Sequence, residues 1–219
     1  MRILIEAAVE SLDDALAAVA GGADRLELCG DLSVGGTTPD PTLVRAVVDR
    51  VGVPVLAMIR PRGGSFVYSD PELDGMRRDI GAALDAGAAG VVLGVLDERH
   101  RVDLHRARML LDAAGGGERV TFHRAIDRTP DLAEGVDALV SLGVARVLTS
   151  GGAATASDGA AVLSALVTRA GERLRILAGG GVRATNVRDL VERSGVREVH
   201  ARCERDAERL RAIRRALDG

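Results

Sequence analysis

Short runs of β-branched and aliphatic residues alternate along this chain with longer Ala/Leu/Arg stretches whose apolar positions recur at helical spacing. The strand-like runs begin near Ile3, Arg25, Val53, Gly90, Arg119, Arg146, Arg173 and Glu198, and a helical stretch follows each. Strict alternation of strand and helix predicts a parallel sheet. Eight such units of nearly equal length predict an α/β fold, a closed (β/α)8 TIM barrel. No linker or low-complexity segment divides the chain, so residues 1–219 are expected to form one domain.

A repeat of longer period supports the barrel. Gly22-Ala23-Asp24-Arg25-Leu26-Glu27-Leu28 is echoed by Gly87-Ala88-Ala89-Gly90-Val91-Val92-Leu93. It is echoed again by Gly143-Val144-Ala145-Arg146-Val147-Leu148-Thr149 and by Gly195-Val196-Arg197-Glu198-Val199-His200. Each glycine suits the left-handed position that ends a helix. The copies precede the second, fourth, sixth and eighth strands, so the repeating unit is a βαβα pair.

Composition then changes the picture in three places. The chain has one tyrosine, two phenylalanines and no tryptophan, so its core must be built from Ala, Val, Leu and Ile. All three aromatics, Phe66, Tyr68 and Phe122, sit in polar segments beside arginines. All 29 Lys/Arg cations are arginine, which excludes Schiff-base chemistry, since that needs a lysine amine. A net charge of -3 gives no electrostatic footprint for nucleic acid or an anionic membrane. The longest apolar run, Val91 to Leu96, is far short of the roughly 20 residues that span a bilayer. No signal-peptide pattern opens the sequence. Cys29 and Cys203 make no disulfide framework, and a cytoplasmic location is expected.

In a (β/α)8 barrel the chemistry sits at the C-terminal ends of the strands. That rule selects Glu6 after the first strand, and Glu27 and Cys29 after the second. It selects Arg60 and Arg62 after the third, and His123, Arg124 and Asp127 after the fifth. Ser150 follows the sixth, Gly180 and Gly181 the seventh, and His200 ends the eighth. Charge is expected to collect at that rim over apolar strand interiors. Strand alternation points Glu27, Cys29 and His123 into the lumen and Phe122 into the helix layer.

Buried carboxylates need cations, and Arg60 or Arg124 is expected to serve Glu6 and Glu27. Arg60 and Arg62, flanking Pro61 before two glycines, form a candidate anion clamp. Phe66 and Tyr68 form a candidate lid over it. Gly180 and Gly181, with Ser150 and its following glycines, offer backbone N–H groups of the kind that hold phosphate in such barrels. His123 is the leading acid/base candidate, with Glu27 or Asp127 as partner. Cys29 is a candidate soft-metal ligand, with Cys203 on the same rim. A purely structural ring of arginine and glutamate capping the barrel is the alternative explanation of the charge.

Several of these segments together resemble the copper homeostasis protein CutC family. They are Gly21 through Cys29, Gly35-Gly36-Thr37-Thr38-Pro39, Met58 through Asp70, Val120 through Ala125, Leu148 through Gly151, and Gly179 through Val182. The resemblance implies a (β/α)8 barrel in the cytoplasm, assembled as a homo-oligomer (dimer or tetramer). It also implies a link to copper, with Cu(I) bound through cysteines near the first two strands. Here Ala8 stands where the family often has a cysteine, and Cys29 alone remains of that pair.

Two functions follow. One is copper handling, with Cu(I) at Cys29 and a second ligand such as His123 or Cys203. The other is a lysine-independent lyase or isomerase for a small anionic or phosphorylated metabolite. In that reading Arg60, Arg62 and Arg124 hold the anion, and His123 with Glu27 or Asp127 moves protons. A non-catalytic scaffold is the third possibility.

Overall fold

The computed structural model describes residues 2–203 and 206–219. Eight strands form the barrel: β1 Leu4–Val9, β2 Arg25–Leu28, β3 Val55–Met58, β4 Gly90–Leu93, β5 Val120–Phe122, β6 Arg146–Thr149, β7 Arg175–Gly179 and β8 Glu198–Arg202. Each pairs in parallel with the next, and β8 closes on β1. A helix follows every strand: α1 Leu12–Ala20, α2 Pro41–Val48, α3 Asp70–Asp85, α4 Leu104–Ala113, α5 Leu132–Ser141, α6 Ala160–Ala170, α7 Val187–Ser194 and α8 Ala207–Asp218. The (β/α)8 barrel expected from the alternation is therefore the fold, with every strand starting within two residues of its predicted position.

Local chemistry sets the element boundaries. Asp40 caps α2 by accepting from the Thr42 N–H, with Pro41 in the first turn. Ser69 and Glu72 form a capping box at the start of α3. Asp103 and Asp131 cap α4 and α5 in the same way as Asp40. The four repeat glycines adopt the left-handed region, with φ of 90° at Gly22, 96° at Gly87, 72° at Gly143 and 70° at Gly195. A side chain there would be strained, so these glycines turn each helix back toward its strand.

The apolar residues divide into two clusters. The larger lies between sheet and helices and contains Phe122 with Ile5, Leu26, Val147 and Val199. The smaller lies inside the barrel and comprises Cys29, Leu56, Met58 and Val92. Phe122 thus belongs to the helix layer and Cys29 to the lumen, as the alternation predicted.

The rest of the lumen departs from the apolar interior expected. Glu6 sits across from Arg25 of β2 on one side and His200 of β8 on the other. Arg25 Nε donates to Glu6 Oε2 at 2.5 Å and its Nη2 to Glu198 Oε2 at 2.6 Å. Arg146 Nε lies 3.4 Å from the same Glu198 oxygen, and its Nη1 donates to Thr121 Oγ1 at 3.2 Å. Arg25, placed by the register beside Glu6, is the cation that Glu6 needs. Neither Arg60 nor Arg124 pairs with Glu6 or Glu27, because both are held by other groups at the mouth. Among the described residues no helix is long and apolar enough to cross a membrane.

Candidate functional site

A cavity of about 360 Å³ opens at the C-terminal ends of the strands. Glu27, Met58, Leu148 and His200 line it from the strands, His123 from just past β5, and Arg60, Phe66, Arg124, Gly180, Gly181 and Arg183 from the loops. A hollow of similar volume lies to the outside, lined by α5 and the loop before α4, where Arg101 and Glu134 pair with each other.

Glu27 and Glu6 are both buried, yet their environments push them in opposite directions. Burial alone would raise Glu6, but the Arg25 charge and the His200 hydrogen bond outweigh it and hold the carboxyl at about 2. Burial pushes Glu27 up to about 7; the His200 charge pulls against this and the Glu6 charge adds to it. His200 Nδ1 lies 2.9 Å from Glu6 Oε1, and its Nε2 lies 3.7 Å from Glu27 Oε2. Burial lowers the His200 pKa, but the two carboxylates outweigh burial and raise it. Glu27 Oε2 also accepts a long contact from the Cys29 thiol at 3.7 Å, while Oε1 is buried with no partner. Two carboxyl groups forced apart in acidity around one histidine make an arrangement suited to acid/base chemistry.

His123 is 4 % exposed, and burial followed by the Arg60 charge drives its pKa down to about 3. Its Nδ1 accepts from the Ala125 N–H at 3.2 Å, which places the proton on Nε2. The ring lies 5.0 Å from the Phe66 ring and 6.1 Å, edge on, from Phe122. The neutral ring is a hydrogen-bond donor near neutral pH.

Arg60 is the buried cation of the rim, at 5 % exposure. Nη1 donates to the carbonyls of Val34 and Gly36, and Nη2 to that of Gly64. These bonds fix the loops after β2 and β3 and leave the charge without a carboxylate partner among the described residues. Its Nε is buried and unpartnered, and its guanidinium stacks 4.9 Å above the Phe66 ring. Arg124 is aimed by Asp127 and Ser150, with Nε to Asp127 Oδ2 at 2.8 Å and Nη2 to Ser150 Oγ at 2.9 Å. Its Nη1 lies against the backbone of Gly180, where φ is 113°.

The expected site residues therefore separate. Glu27, Arg60, His123, Arg124, Gly180, Gly181 and His200 share the cavity. Glu6 lies below it. Asp127 and Ser150 stand behind Arg124, and the Asp127 carboxylate also accepts from Thr149 and Gly152. Arg62 does not reach the cavity: its guanidinium binds Glu72 and the carbonyls of Ser65 and Val67. Tyr68 is 2 % exposed and packs in the core, so Phe66 alone remains of the expected lid. Arg25, Arg146 and Glu198 fall outside the expected site, because each begins a strand and the rim rule selects strand ends. Their signal was parity: Arg25 shares its lumen-facing direction with Glu27, and Glu198 with His200.

Copper requires a different donor set. Cu(I) prefers thiolate and thioether sulfur. The Cys29 thiol is pushed well above its ordinary value by burial and then by the Glu27 charge, so it holds its proton. Ala8 supplies no sulfur, and Cys203 packs in the outer apolar layer rather than the lumen. The donors present do not fit a thiolate copper site. Glu6, Glu27 and His200 bring ligand-type atoms within 4.8 Å of one another. That group already contains its cations, with Arg25 on one Glu6 oxygen and His200 on the other.

Residues 3–204 match the model of the CutC family. A CutC family protein of Sinorhizobium medicae is 48% identical over 204 residues, covering 92% of this chain and 82% of that protein. One from Caulobacter vibrioides is 47% identical over 199 residues, covering 91% and 80%. A solved structure from Streptococcus agalactiae, named CutC for copper homeostasis, superimposes with a TM-score of 0.85 at 36% identity, over 90% of this chain and 97% of that one.

Proposed function

The chain belongs to the CutC family, and we propose that it is a lysine-independent enzyme acting on a small anionic metabolite held in the mouth of its barrel. One observation carries the reading. Arg60 is a buried guanidinium without a carboxylate partner among the described residues, and it lines a cavity that also contains a carboxyl group of raised pKa. Burying an unpaired charge is costly, and an anionic ligand supplies the missing partner. Arg124 and the backbone at Gly180 and Gly181 extend the same anion site, and the Glu27–His200 pair below supplies a proton acceptor and donor. The cytoplasmic setting and homo-oligomeric assembly implied by the family resemblance are part of this reading.

Thermal-shift titration with inorganic phosphate and small carboxylates tests it. Phosphate or a carboxylate is expected to raise Tm, and Arg124→Ala to weaken that response at least tenfold. No stabilising anion, or an unchanged response in the variant, refutes it. Direct Cu(I) binding at Cys29 is the competing reading, favoured by one contact: the Cys29 thiol and the Met58 Cε both lie against Gly36. A competitive Cu(I) titration separates the two. If Cys29→Ala removes tight binding, copper chelation stands; if affinity is unchanged, that site is ruled out.

A further inference from the structure

Besides Arg60 Nε, two polar atoms on the cavity wall are buried without a protein partner among the described residues, Glu27 Oε1 and His123 Nε2. Buried polar atoms are nearly always paired, so an orphan on a cavity wall points to a ligand group. These two are complementary. Glu27 Oε1 belongs to a group that accepts when ionised. His123 Nε2 is a donor, since Nδ1 already accepts from the Ala125 N–H. They project from β2 and the end of β5, three strands apart in the closed ring, so a small molecule seated in the cavity lies between them.

The surroundings fix both groups. The His123 ring packs directly on Gly94, where an added Cβ would fall 2.5 Å from the ring atoms Cε1 and Nδ1. Phe66 closes over the ring on the solvent side. Glu27 is held through Oε2 by Cys29 and His200, and His200 in turn by Glu6. The carboxylate base and the imidazole donor therefore flank one space, with the buried Arg60 charge beside it. A carbonyl compound fits this set: its oxygen accepts from His123, and the acidic C–H beside the carbonyl meets Glu27.

We propose that Glu27 and His123 together enolise a small carbonyl compound that bears a terminal phosphate or carboxylate. Glu27 removes a proton from the carbon next to the carbonyl, and the C–H electron pair becomes the new C=C bond. The carbonyl π pair moves onto oxygen, where the neutral His123 Nε2–H stabilises it by a hydrogen bond. Glu27 trades the captured proton for a solvent hydrogen and returns it to the same face of the same carbon, which restores the carbonyl with hydrogen exchange as the outcome. No cofactor, oxidant or lysine enters the step. This inference rests on the anion site proposed above and adds the reaction and the substrate class.

The test is proton exchange in D2O, followed by 1H NMR, with dihydroxyacetone phosphate, ribulose 5-phosphate and pyruvate as probes. The wild-type protein is expected to exchange the C–H beside the carbonyl of at least one probe above the protein-free rate. Glu27→Gln should bring exchange to background, and His123→Ala should slow it at least 100-fold. Both variants should keep the thermal-shift response to inorganic phosphate, and Arg62→Ala should behave as wild type. If a variant misfolds, Glu27→Asp, which keeps the charge but withdraws the oxygen, should still cut exchange at least tenfold. Phosphate binding with no exchange of any probe, or wild-type exchange in Glu27→Gln, overturns the enolisation and leaves the anion site standing. Absence of anion binding overturns the anion site itself.

Discussion

Replacing Arg25 by methionine should remove the cation on which the lumen depends. The side chain is buried and donates to Glu6 at 2.5 Å and to Glu198 at 2.6 Å, so its loss takes the nearest cation from two carboxylates. Breaking a buried pair from one side typically costs about 3–5 kcal/mol. The Glu6 pKa gives an independent figure: holding it at about 2 against an ordinary 4.5 is worth about 3 kcal/mol above pH 4.5. Because the folded pKa is the lower one, this stability is present above 4.5 and drains away as pH falls toward 2. Equilibrium urea unfolding of wild type and Arg25→Met at pH 7 should differ by about 3–5 kcal/mol. At pH 3 roughly 2 kcal/mol of that gap should be gone. A loss below about 1 kcal/mol at pH 7, or a gap independent of pH, would refute the assignment of Arg25 as the counter-ion of Glu6.

Glu27→Gln should act in the opposite sense. The folded pKa of Glu27 is raised to about 7, so its contribution is intact below pH 4.5 and falls away through pH 7. The variant should gain about 1–3 kcal/mol on wild type between pH 5 and pH 8 in urea unfolding; a gap that does not widen with pH sinks the idea. Gly90→Ala should destabilise by roughly 3 kcal/mol or more, read as Tm, since its Cβ would fall 2.2 Å from the Arg119 carbonyl oxygen. Cys29 and Cys203 are both buried and should react with a disulfide reagent at pH 8 at least about 100-fold more slowly than in urea; fast labelling of native protein contradicts a buried, protonated Cys29.

The barrel was legible because its signals are local and repeated. The four glycines at Gly22, Gly87, Gly143 and Gly195 each announce a helix end, and each takes positive φ in the structure. The rim residues were legible through strand parity, which pointed Glu27, Cys29 and His123 into the lumen, where the structure has them. What parity cannot supply is the partner. Arg62 and Arg60 are two residues apart and identical in kind, yet one turns outward to Glu72 and the other inward beneath Phe66. That outcome depends on the capping box at Ser69 and Glu72, which offers Arg62 a carboxylate at the start of α3. Tyr68 was likewise misjudged: a lone aromatic near glycines looks like a lid, but α3 begins two residues later and draws it into the core.

The opposite fates of Glu6 and Glu27 come from the direction of one side chain. Arg25 lies two residues before Glu27 on β2, on the same lumen-facing side of the strand. It reaches across to β1 and β8 rather than along its own strand, with Nε on Glu6 and Nη2 on Glu198. Glu6 is thereby fixed as an anion, and its charge then helps to keep the proton on Glu27. An arginine near the floor of the barrel thus adds, through Glu6, to the effect of burial on a carboxyl group at its mouth, while its own charge pulls the other way. The lumen ladder and the cavity are accordingly one electrostatic unit. Removing Arg25 should do more than destabilise: with its charge gone, Glu6 should titrate upward, and the two carboxyl groups should compete for the one His200 between them.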